Sequence, residues 1–150
     1  YTPAINLLFA LDAALDMLIE EGLANVFARH ERYAEATRRA VRTWGLELQC
    51  EDPRAYAPGV TAIRVPDGHS ADKLRTVVLE KYNMSLGNGL GRVEDKVFRI
   101  GHMGDLNEPM LLGCLATTEL AMKTVGIPFA PGGVDAAIKS LANSKPQLTH

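Results

Sequence analysis

Residues 96–105 read KVFRIGHMGD, a strand followed at once by a loop. Residues 96–100 alternate, with Val97 and Arg99 on one face and Phe98 and Ile100 on the other. An arginine in mid-strand, with Gly101 and Gly104 after it around His102, has three readings. It is a solvated surface charge, a member of an internal ion pair, or the group that holds an acidic ligand. A guanidinium offers a planar fork matched to a carboxylate and stays charged at any working pH. The strand makes it rigid, and the glycines after it clear space beside the head group. On these grounds an ion pair with an internal Asp or Glu is the stronger reading and a carboxylate clamp the second. The pattern alone leaves the choice open.

Upstream, Thr2-Pro3 is a helix-start signature, since threonine caps free amides and proline suits the first helical position. Leu7, Leu11, Leu15 and Leu18 then repeat at helical spacing up to Gly22. A longer helix follows over 23–44, with Phe27, Tyr33, Thr37, Val41 and Trp44 near its apolar face and Gly45 as its stop. Its other face is dense with Arg and Glu and reads as solvated. Residues 46–50 and 60–66 read as strands around an irregular loop over 52–59. Ser70 caps a third helix carrying Leu74, Val77, Val78 and Tyr82. A short extended piece over 84–86 leads into a glycine-rich turn over 87–91, and then into the arginine strand. Asn107 and Pro109 start a fourth helix through Leu111, Leu115, Met122 and Val125, closed by Gly126 and Pro128. Gly132-Gly133 opens a last short helix ending near Ala142. Few, short strands among helices suit a small antiparallel-type sheet covered by helices on one face, an α+β fold.

At 150 residues the chain fits one ordinary domain, and its 47% hydrophobic and 23% charged residues are those of a globular protein. A net charge of −2 argues against nucleic acid as a partner, which usually needs a basic face. No apolar run approaches the roughly 20 residues that span a bilayer. Cys50 and Cys114 lack any metal or redox spacing and read as free thiols in a reducing, cytoplasmic setting. The histidines His30, His69, His102 and His150 form no metal pair. The chain opens on Tyr1 with neither an initiator methionine nor a signal-like segment, which suggests a piece of a longer protein.

Gly87-Asn88-Gly89-Leu90-Gly91 invites a phosphate-loop reading, because glycine lets backbone amides approach an anion. A dinucleotide fingerprint, however, lies between a strand and a helix, and here another strand follows. A tight connection with positive φ is the better reading. His102 is of the type that titrates near neutrality, but no nucleophile or carboxylate stands at a recognised spacing from it. A loop-stabilising or pocket-lining role suits it, and Asp105 is a loop neighbour.

The run from Lys96 to Glu108 resembles the C-terminal signature of the class V pyridoxal-phosphate-dependent aminotransferases, in the serine–glyoxylate branch beside alanine–glyoxylate aminotransferase. Tyr1-Thr2-Pro3, Glu20-Glu21-Gly22-Leu23, Phe27-Ala28-Arg29-His30 and NMSLGNGLG at 83–91 fit the same branch. The resemblance runs to about Leu141. It implies the small C-terminal α+β domain of a fold type I enzyme over residues 1–142, with a helical lead-in over 1–22 and a polar tail over 143–150. It implies amino transfer from serine or alanine to glyoxylate on pyridoxal 5'-phosphate, in a homodimer. The arginine matching Arg99 holds the substrate carboxylate, and the threonine matching Thr2 contacts the cofactor phosphate across the dimer. The lysine that carries the cofactor comes from a large domain upstream of Tyr1. None of Lys73, Lys81, Lys96, Lys123, Lys139 or Lys145 matches its motif. The resemblance therefore implies no catalytic residue in this chain and no activity for it alone. The alternative is a free-standing module that binds an anionic metabolite through Arg99 and the glycine turn.

Overall fold

The computed structural model describes residues 2–144. Five α-helices and four strands follow one another as α1 (Ile5–Glu21), α2 (Leu23–Thr43), β1 (Glu47–Leu48), β2 (Val60–Arg64), α3 (Ala71–Tyr82), β3 (Gly87–Asn88), β4 (Val97–Gly101), α4 (Glu108–Val125) and α5 (Gly133–Asn143). The strands form one antiparallel sheet in the order β1-β2-β4-β3. This is the α+β architecture expected from the strand and helix pattern.

Register decides which side chains enter the core. Ile63 stands opposite Phe98 and Thr61 opposite Ile100, and these positions face the helices. Ala62 stands opposite Arg99, one residue out of phase and therefore on the other face. Helix α2 packs along α5 and reaches β1 and β2, while α3 packs on α4 and reaches β3 and β4. Between them lie Val41, Trp44, Ile63, Leu74, Phe98, Ile100, Leu111, Leu115 and Met122, all fully buried.

Local signals place most helix ends. Ser70 Oγ accepts from the Lys73 amide at 3.0 Å, and Asn107 Oδ1 accepts from the Met110 amide at 3.0 Å. Each satisfies a donor that the first helical turn leaves free. Asp95, at φ +56°, adds its carboxylate to the α3 start by accepting from Ser70 Oγ and the Asp72 amide. Thr2-Pro3 does not act in this way: α1 begins at Ile5, with Ala4 at the cap position and no side-chain cap.

Other features differ from the sequence pattern or add to it. The leucine repeat of α1 forms the helix its spacing predicts, but α1 buries no residue. Ile5, Leu7, Leu8, Phe9, Leu11, Leu15, Met17 and Ile19 are all exposed. On α2 the apolar face is set by Val26, Tyr33, Thr37, Val41 and Trp44, whereas Phe27 is 66% exposed. The charged face of α2 is not wholly solvated, because Arg38 is buried beneath the Tyr56 ring and paired with Glu31 and Glu35. The glycine turn also differs. Gly87 and Asn88 are themselves β3, and only Gly91 has positive φ. At Gly89 a Cβ would stand 2.1 Å from the Val93 carbonyl oxygen, so close approach of backbone, not φ, requires glycine there. At the other end, α5 continues through Asn143 and Ser144 accepts from Arg32, while residues 145–150 of the expected polar tail lie outside the described residues.

The start of α5 is fixed by one close approach. Trp44 Nε1 donates to Glu119 Oε1 at 2.7 Å, and the same oxygen accepts from the Val134 amide at 3.1 Å. A Cβ on Gly133 would lie 2.1 Å from Trp44 Nε1. Gly133→Ala is expected to displace the indole or the helix and to cost about 2–3 kcal/mol of stability. Denaturant unfolding of the variant against the parent measures it.

Candidate substrate-carboxylate site

Arg99 lies on the sheet face turned away from the helical core, between Ala62 on β2 and Gly87 on β3. Among the described residues it has no ion pair. Its Nε is buried with no hydrogen-bond partner. The internal ion pair favoured on sequence grounds is therefore absent from the described residues. A buried donor without a partner costs about 1–3 kcal/mol, so the fold itself does not stabilise this edge of the guanidinium. The space beside the guanidinium comes from Gly87 across the ladder. Gly101 and Gly104, to which the sequence pattern assigns it, have nothing within 4 Å of a built Cβ.

His102 follows on the core side of the same segment and is fully buried. Its Nδ1 faces the Pro58 carbonyl oxygen at 2.8 Å, and a carbonyl only accepts, so the ring proton is on Nδ1. Nε2 is then the acceptor for the Thr61 hydroxyl at 2.8 Å. The His102 amide also donates to the Gly59 carbonyl at 3.0 Å. Both ring nitrogens are used, and the residue fastens the 58–59 loop to β4. The loop-stabilising role expected for it is the one it has. Asp105 is exposed.

The sequence reading gives Arg29 and His30 no task, and the structure supplies one. Arg29 Nη1 donates to the Gly104 carbonyl at 2.7 Å, and the Gly104 amide donates to His30 Nε2 at 2.9 Å. His30 Nδ1 donates to the Val26 carbonyl at 2.7 Å, which leaves Nε2 free to accept. Arg29 is itself held by Glu21 at 2.6 and 2.7 Å, and this pairing keeps the Glu21 carboxyl below the usual carboxylate range. Two adjacent residues of α2 thus hold both the amide and the carbonyl of Gly104, five residues past Arg99. An R-H pair offers no signal of this in sequence, because its target lies 74 residues away.

Thr2 lies in the exposed segment ahead of α1 and makes no hydrogen bond with β4 among the described residues. Cys50 and Cys114 are free thiols, and burial pushes Cys114 up to about 11. Among the described residues the lysines do not gather at Arg99, and Lys145 lies outside them. Lys73 and Lys81 lie on α3, Lys123 on α4 and Lys139 on α5, against the opposite face of the sheet, and Lys139 pairs with Asp135. Lys96 precedes β4 with the phase of Phe98. The guanidinium of Arg99 is of a kind that suits a carboxylate. No group of three His, Cys, Asp or Glu suited to a metal occurs among the described residues, and no described helix is long and apolar enough to cross a membrane.

No protein-family model matches the chain. It is 47% identical over 138 residues to the L-aspartate–glyoxylate aminotransferase of Paracoccus denitrificans, covering 91% of this chain and 35% of the relative. It is 47% identical over 149 residues to the serine–glyoxylate aminotransferase of Arabidopsis thaliana, covering 99% and 37%. The crystal structure of pyridoxamine–pyruvate aminotransferase from Mesorhizobium loti superposes with a TM-score of 0.90 at 32% identity, over 97% of this chain and 38% of that one. The fold is thus that of the smaller domain of aminotransferases. The chain belongs to the class V aminotransferases and corresponds to a C-terminal portion of one. It spans little more than a third of the length of the curated relatives it matches.

Burial holds the His102 imidazole below its ordinary value, against the pull of the Pro58 carbonyl. Below about pH 6.5 the unfolded chain takes up a proton there that the folded chain does not. Stability is therefore expected to fall as pH drops from that point, and to level off below the folded-state value. His102→Gln should flatten this part of the stability–pH curve, measured by denaturant unfolding between pH 7.5 and 5. The contributions of Glu21, Glu35 and Glu108, whose carboxyls are all lowered, are lost only at more acidic pH.

Proposed function

We propose that this chain is the substrate-carboxylate half of an aminotransferase that moves an amino group from serine to glyoxylate, with Arg99 as the carboxylate clamp. One observation carries the reading: Arg99 is mounted on a doubly paired strand, half-buried, and without an ion pair among the described residues. Two relatives at 47% identity are named for different amino donors, aspartate and serine, and for the same acceptor, glyoxylate. That supports glyoxylate as the acceptor, and in this reading the region holds what all the substrates share, a carboxylate next to the reacting carbon.

A two-point guanidinium–carboxylate contact fixes the rotation of the substrate and hence which bond at Cα faces the reacting group. Pyridoxal phosphate, when bound, supplies the electron sink that makes loss of the Cα proton feasible. In this reading it is held by the part of the protein outside this chain, and the isolated chain is inactive. Residues 1–142 form the small domain and its lead-in. The apolar α1 is covered in the intact protein by the large domain and by the partner of a homodimer. Each of its large side chains left in water forgoes about 1.5–3 kcal/mol, which is a strong drive to cover them. In this reading Thr2, ahead of α1, contacts the cofactor phosphate of the partner subunit. The free thiols suit the cytoplasm.

In the full-length enzyme, Arg99→Ala should cost about 2–5 kcal/mol in kcat/KM for both substrates while the cofactor absorbance is retained. Unchanged serine and glyoxylate kinetics would overturn the clamp. The 150-residue chain mixed with pyridoxal phosphate and borohydride should gain no stoichiometric adduct by mass spectrometry. An adduct on one lysine would show that the chain carries its own cofactor site.

A further inference from the structure

Gly87 and Arg99 are direct partners in the β3–β4 ladder. A Cβ built on Gly87 would stand 3.1 Å from Arg99 Cβ, 3.1 Å from its Nε and 3.6 Å from its Cζ. The φ of Gly87 is not in the left-handed region, so the backbone does not demand glycine here. What demands it is the arginine, whose side chain runs across β3 where any substituent would meet it. Ala62, the small residue opposite Arg99 on β2, flanks the other side.

The Nε edge of the guanidinium is the one turned inward. It is buried and unpartnered, and no hydrogen bond is made by either Nη among the described residues. We infer that Gly87, helped by Ala62, is a positioning residue for carboxylate recognition. By lacking a side chain, it lets the guanidinium lie flat along β3 and presents the two Nη nitrogens, not the Nε side, to an incoming carboxylate. This rests on the reading of Arg99 as the clamp. It adds a residue that touches no substrate and acts only through the arginine.

The consequence is specific. Amino donor and 2-oxo acid acceptor each present a carboxylate to the same guanidinium. A displaced guanidinium therefore weakens both by a common factor, whereas a change in a side-chain pocket affects one substrate alone. A Cβ at 3.1 Å forces a shift of a few tenths of an ångström, enough to spoil a two-point contact.

The test uses the full-length enzyme with Gly87→Ala, Arg99→Ala and the double variant. Gly87→Ala is expected to raise KM for serine and glyoxylate by a similar factor, on the order of tenfold, with the cofactor absorbance intact. In the Arg99→Ala background, where nothing beyond Cβ of residue 99 lies over position 87, the same change should cost less than about twofold. Unchanged KM values, a change in one substrate only, or an equal loss in both backgrounds would overturn the role of Gly87. If Gly87→Ala does not fold, Ala62→Val decides: a common rise in both KM values supports the proposal, and unchanged values sink it. Normal substrate kinetics in Arg99→Ala would instead remove the clamp reading beneath it.

Discussion

Strand β4 is paired on both sides, to β2 and to β3, and the rest of the molecule is arranged around that constraint. Double pairing fixes the phase of every side chain from Val97 to Gly101. Phe98 and Ile100 are driven into the layer beneath α3 and α4, and their burial is what holds the strand in register. Arg99, between them, has no choice but the opposite face. A slip of one residue would place a guanidinium in the core and two large apolar side chains in water, at a cost no surface contact could recover.

The segments on either side of β4 are tied down in the same spirit. His102 is locked by Thr61 and Pro58, and Gly104 by Arg29 and His30 of α2. Before the strand, Asp95 closes the turn onto the start of α3. None of these contacts involves the Arg99 guanidinium. A charge mounted on a stiff strand, fenced by small residues and left without a counter-ion, is poorly explained as a stabilising element. It makes sense as half of a contact completed by a ligand.

A second incompleteness lies at the other end of the chain. Helix α1 is apolar outside a stripe of Asp12, Asp16 and Glu20, connects through Gly22 to α2, and buries nothing. A helix of that composition belongs inside a larger assembly. Its exposure agrees with the fact that the chain spans little more than a third of its relatives. Glu21, at its C-terminal end, nevertheless holds Arg29 and so joins the helix to the clasp on Gly104. Whatever covers α1 therefore bears on the loop beside the candidate site.

Read by itself, the sequence determined what local chemistry can determine. Ser70 and Asn107 marked the helix starts and Gly126 a helix end, because capping is settled within a few residues. Alternation around Arg99 gave the strand and separated the arginine from Phe98 and Ile100. The resemblance carried by residues 96–108 indicated the family, which the relatives then established. Tertiary structure alone decided the rest, since each outcome depends on a partner distant in sequence. Spacing on α1 could not tell a core face from a face awaiting another domain. Glycines at 87 and 89 looked like a tight connection with positive φ, but are there because Arg99 and the Val93 carbonyl pass too close for a Cβ. That Arg99 has no acidic partner also became visible only once the chain was folded, because an ion pair depends on distances through space that spacing along the chain does not encode.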